Sequence, residues 1–187
     1  MPRIPATGTG SPAVPAPPGE EPPATLLPAP PGGPRSVTHQ RAARRLLALL
    51  DDAAREAGAE VEALPAVAVR LPDGFAVPDL VVADAAAVRR AAAGAGAALD
   101  ARDVRVAVEI VSPDTRVADH TVRPALYAAA GIPQLWQLEL APLPLFRAGR
   151  LRRGVYEETA AALGGFAVRV EEPFPAAIDP GVLTRSR

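Results

Sequence analysis

Residues 104–127 read VRVAVEIVSPDTRVADHTVRPALY, and the fold depends on how this stretch divides. The first eight residues, VRVAVEIV, are almost wholly apolar. A short apolar run rich in β-branched residues predicts a strand buried on both faces, hence a central one. Strict alternation puts Val104, Val106, Val108 and Ile110 on one face and Arg105, Ala107, Glu109 and Val111 on the other. Glu109 thus lies inside a strand where an unpaired charge is costly, so it needs a donor, a cation or a metal. Ser112-Pro113-Asp114-Thr115 reads as a turn. A helix is expected from about Asp119–Thr121 to Gly131, with Pro124 tolerated only in its first turn. On that helix Arg123, Leu126, Tyr127 and Ala130 share a face.

Thirty residues before Glu109 a second acid stands in a similar setting. In VPDLVV, Asp79 is flanked by valines, and alternation over Val77–Ala83 groups Val77, Asp79 and Val81. Two readings remain open for it. It either joins Glu109 in a metal site or ends a strand by bonding backbone amides.

Upstream, Ser36 or Thr38 is placed to cap a helix from about His39 to Ala57, with Gly58 ending it. Ala43, Leu46, Leu47, Leu50, Ala54 and Ala57 form its apolar face. Arg41, Arg44, Arg45, Asp51, Asp52 and Arg55 form a solvated one. His39 is read as a helix-start residue within possible reach of a site. Extended segments follow at 61–64 and 67–70, then a turn at Pro72-Asp73-Gly74 and the strand that carries Asp79. Residues 84–101 read as an alanine-rich helix fraying into a loop. Beyond the central stretch, QLWQLEL at 134–140 is a strand, with Trp136 expected in the core. A hairpin over about 144–158 and a last strand at 166–170 complete the order αβββαβαβ plus hairpin. That order predicts an α/β fold: a mixed central sheet flanked by helices.

Composition narrows the chemistry. With no cysteine among 187 residues, disulfides, thiol catalysis and cysteine zinc sites are excluded. Two histidines, His39 and His120, are too few for a histidine cage. A formal charge of −1 gives no global field for nucleic acid. All 20 basic residues are arginine, with alanine and proline in excess, as GC-rich coding produces. Residues 1–35 are expected to be a disordered tail, since positions 1–34 hold 12 of the 23 prolines, and 36–187 the folded domain. No signal-peptide pattern and no run long enough to span a bilayer is present, so a cytoplasmic, non-membrane protein is expected.

Pro78-Asp79, Glu109 through Thr115, Asp119, Arg123 with Tyr127, and Gly131 through Trp136 together resemble the Uma-type restriction endonuclease family of bacteria, a branch of the PD-(D/E)XK nuclease superfamily. The resemblance covers about residues 36–183. It implies a restriction-endonuclease-like core and an endonuclease that hydrolyses DNA, of a kind that often pairs as a homodimer to cut two strands. It also implies that Asp79 and Glu109 bind Mg²⁺ or Mn²⁺. Arg123 would be the catalytic cation, with Asp119, Tyr127 and His39 in support. The chain departs from the family pattern twice. Val111 holds the usual superfamily lysine position, and the lysine that this family carries on the following helix is Arg123. The family's Tyr-Glu-x-x-Asp-Gly segment before the first helix is replaced by the proline-rich stretch. These departures leave a non-catalytic binding module on the same fold as the alternative.

Overall fold

The structure is a computed structural model that describes residues 36–94, 98–111, 116 and 118–185. The expected tail and the Ser112–Thr115 turn lie outside these residues. The elements run α1 (Val37–Glu56), β1 (Val61–Pro65), β2 (Ala68–Leu71), β3 (Gly74–Ala76), β4 (Leu80–Asp84), α2 (Ala85–Ala93), β5 (Ala98–Asp100) and β6 (Val104–Val111). After a π-helical turn at Ala118–Val122 come α3 (Arg123–Ala129), β7 (Gln134–Glu139), β8 (Leu145–Arg152), β9 (Val155–Leu163), β10 (Val168–Val170), β11 (Ala176–Ile178) and α4 (Pro180–Thr184).

Six strands form the main sheet in the order β1-β4-β6-β7-β8-β9. β6 lies inside it, antiparallel to β4 and parallel to β7, so the sheet is mixed. The parallel step requires a crossover, and the π turn and α3 supply it. Arg123 to Ala129 includes Pro124 in the first turn, where its missing N–H costs least. Gly131, at φ 75°, turns the chain back toward β7.

Each face of the sheet has its own core. On one, Leu80, Val82, Val106, Val108, Ile110, Trp136 and Leu138 pack with Leu46 and Leu50 of α1, and with β10, β11 and α4. On the other, Val81, Ala83, Ala107 and Leu135 pack with Tyr127 of α3 and with Val69, Leu71 and Leu99. The last three belong to a small sheet of order β3-β2-β5. β3 and β5 are short strands that the sequence reading left in a turn and a fraying loop. The Asp79 segment also starts later than expected, with pairing from Leu80.

The caps of α1 follow the sequence. Ser36 accepts from the His39 N–H at 3.1 Å, and Gly58 takes φ 62° beyond the C-terminus. The buried stripe runs His39, Ala42, Leu46, Leu50 and Ala54, so Ala42 replaces the expected Ala43 and Leu47 is only partly covered. Arg45 is not simply solvated, because its guanidinium donates to the carbonyls of Val182, Leu183 and Arg185. Strict alternation also breaks at the start of β6. Val82 pairs with Val106 but Ala83 with Val104, so Arg105 is an extra residue in the ladder. Val104 therefore joins the α3-side core instead of the Val106 face.

Trp136 is fully buried, packs edge-on to Phe146 at 5.6 Å between centroids, and donates its indole N–H to Gln134 Oε1 at 3.0 Å. Trp136→Ala leaves a large cavity in the tightest part of the core. It is expected to cost about 3–5 kcal/mol in urea denaturation, with the slope of the transition unchanged.

Candidate active site

The last residues of β6 and the chain just before β4 meet at one end of the sheet. Leu80 pairs with Val108 in an antiparallel register, so Asp79 stands opposite Glu109 at the next step. Both side chains are buried, Asp79 at 6% and Glu109 at 1% exposure. Asp79 Oδ2 accepts from the Ile110 N–H at 2.7 Å and lies 3.2 Å from His39 Nε2. The backbone-amide bond of one reading is therefore present, and Asp79 also stands opposite the second acid.

Glu109 is gripped by α3. Arg123 Nη1 donates to Oε2, and the Tyr127 hydroxyl donates to Oε1 at 2.5 Å. Arg123 and Tyr127 are four residues apart, one helical turn, which aims both at one carboxylate. Arg123 Nε also lies 3.2 Å from Asp119 Oδ1 in the π turn. Asp119 is 2% exposed, and Gln137 Nε2 donates to its carbonyl at 2.6 Å. Asp119 is thus a buried partner of Arg123. His120 is partly covered, with Nε2 3.6 Å from Glu139 Oε1.

Burial dominates the electrostatics. Desolvation raises the Glu109 pKa to about 8 and the Asp79 charge adds to the rise, while Arg123 and Tyr127 oppose it without cancelling it. Burial works against the Arg123 charge, but Glu109 outweighs it and the pKa is raised. Burial, then Glu109, pushes the Tyr127 hydroxyl well above its usual value, so it stays a donor.

The structure brings together Asp79, Glu109, Arg123, Asp119, Tyr127 and His39, all named from the sequence. Gln137 was missed. Its signal was its alternation with buried Trp136 and Leu138, which places it on the Glu109 face. Among the described residues, no group of three or more histidine or acidic side chains has metal-binding spacing. The acid pair still fits a small hard cation, because Mg²⁺ is commonly held by one or two carboxylates, its remaining positions filled by water and phosphate oxygens.

Comparison with known proteins agrees with the fold. The model of the Uma2 family, described as "Putative restriction endonuclease", matches residues 26–182. The chain belongs to this family. One matching solved structure is a "putative nuclease belonging to DUF820" from Anabaena variabilis, 15% identical over 74% of this chain and 73% of that one, with a TM-score of 0.52. At that identity the likeness shows the fold alone. No curated protein matches the sequence. The family model begins at residue 26, inside the stretch read as tail.

Glu109 makes metal-free stability depend on pH. The folded chain holds its proton up to about pH 8, whereas the unfolded chain releases it near 4.5. Between those values the folded state binds more protons, so stability falls as pH rises. In EDTA, wild type is expected to lose stability from pH 5 to 8 relative to Glu109→Gln, measured by denaturation at each pH.

Proposed function

We propose that the chain is an endonuclease that hydrolyses DNA phosphodiester bonds with Mg²⁺ or Mn²⁺ held by Asp79 and Glu109. The observation that carries this reading is the pair of buried carboxylates, one on β6 and one just before β4, near enough that the charge of one raises the pKa of the other. Two acids kept together at such a cost need a reason, and a divalent cation supplies one. When bound, the ion lowers the pKa of a water and neutralises charge on a phosphodiester oxygen.

The remaining work falls to the chain. His39 and the Ile110 amide orient Asp79 from two directions. Tyr127 fixes the rotamer of Glu109. Arg123 keeps a permanent positive charge beside Glu109, where negative charge grows on the phosphate as its bond breaks. It cannot accept a proton in the working pH range, so it stabilises charge and does not activate water as a base.

A second reading, a nuclease fold that binds DNA without cutting it, is favoured by the direct Arg123–Glu109 contact. There the arginine satisfies the acid that the metal would need. A plasmid-nicking assay in Mg²⁺ and in Mn²⁺ separates the two. Wild type is expected to cut, and Asp79→Ala and Glu109→Ala to cut about 100-fold more slowly, a loss of about 2.7 kcal/mol in barrier terms. Cutting unaffected by Glu109→Ala sinks the site. DNA binding with no cutting, in wild type and in Arg123→Lys alike, establishes the second reading.

A further inference from the structure

The row that holds the two acids continues across the sheet. Glu109 pairs with Gln137 on β7, and Gln137 pairs with Arg147 on β8. Residues directly opposite on adjacent strands point to the same face. Asp79, Glu109, Gln137 and Arg147 therefore form one transverse line on the α3 side. With about 4.8 Å between strands, Arg147 stands about 10 Å from Glu109.

One pleat further along, Glu139 pairs with Val111 and Leu145 on the same face. Glu139 is 9% exposed. Three basic groups point at its carboxylate: Arg116 at 3.4 Å, His120 at 3.6 Å and Arg147 at 4.0 Å. Arg116 also donates to the Ala141 carbonyl at 2.8 Å. Both arginine side chains keep 45% of their surface in solvent. A buried anion that draws two half-exposed guanidinium groups together leaves their outer edges open to a second anion. Glu158 is the other partner of Arg147, at 3.5 Å and 57% exposed. An ion pair so open is weak and easily exchanged.

We propose that Arg147 and Arg116, oriented by Glu139, form a lip that grips backbone phosphates of DNA next to the phosphate being cut. This rests on the nuclease reading of Asp79 and Glu109. It also fits the formal charge of −1, because attraction for DNA then has to be local. Glu158 acts against the grip, holding Arg147 until a phosphate takes its place.

The test is fluorescence anisotropy of the full chain in EDTA with fluorescein-labelled duplex and single-stranded DNA, over a series of salt concentrations. Arg147→Ala and Arg116→Ala are each expected to weaken binding and to flatten the log–log salt slope, by about 0.9 per lost phosphate on duplex and about 0.7 on single strands. Glu158→Gln is expected to tighten binding. Arg89→Ala, an exposed arginine on α2, is expected to leave the slope unchanged. Thermal melting of each variant guards against misfolding. An unchanged slope for Arg147→Ala, a slope change equal to that of Arg89→Ala, or no binding by wild type overturns the proposal. Nicking assays on the same proteins keep the two ideas apart. Cutting with an Arg147-independent slope removes the lip and leaves the nuclease, whereas an Arg147-dependent slope without cutting leaves the lip and removes hydrolysis.

Discussion

The cost of a carboxylate inside the central strand constrains this molecule more than any other feature. Glu109 has 1% of its surface exposed, and a charge there cannot be left to water. Two of its neighbours answer that cost in part. Arg123 and Tyr127 fill both carboxylate oxygens from one helix turn. Asp79, itself an acid, makes the balance worse. A fold selected only for stability would replace such a cluster with apolar side chains, which often pack as well or better. The acids are instead kept together where the end of β6 meets the chain just before β4.

The topology explains why they meet there. β6 runs antiparallel to β4 and parallel to β7, so the end of β6 adjoins the beginning of β4 and the end of β7. The crossover that a parallel pair demands returns α3 across this same face. α1, on the opposite face, reaches round the edge only at its first turn, where His39 meets Asp79. Four separate segments thus supply the cluster.

Much of this was legible in the residues, and what was not has physical causes. The central strand, the α1 caps and the Arg123–Tyr127 face follow from local rules of period and capping. Ala42 and His39 replaced Ala43 and Leu47 on the buried stripe because tertiary packing, not helix hydrophobicity, chose which face turned inward. His39 looked like a helix-start residue since its partner lies forty positions away. Val104 changed faces because Arg105 is an extra residue in the β4–β6 ladder, and a bulge leaves no trace in alternation. The strands at Gly74–Ala76 and Ala98–Asp100 hold three residues each, too few for any period to show. The pairing of Asp79 with Glu109 needed strand order, which the family resemblance supplied and composition did not.

Arginine at position 123 changes how the cluster is built, beyond its charge. The guanidinium is a planar fork, and here it uses two nitrogens on two acids, Nη1 on Glu109 and Nε on Asp119. A lysine ammonium is one point charge on a flexible stem and does not hold that double geometry in the same way. The fork therefore ties the π turn to the central strand as well as supplying a positive charge. The π turn carries Asp119 and His120, so it stands between the acid pair and the cations around Glu139. Arg123 is thus the joint through which the buried acids and the exposed edge of the site share one geometry. The lysine expected there from the family resemblance would be a smaller, mobile charge without that second tie.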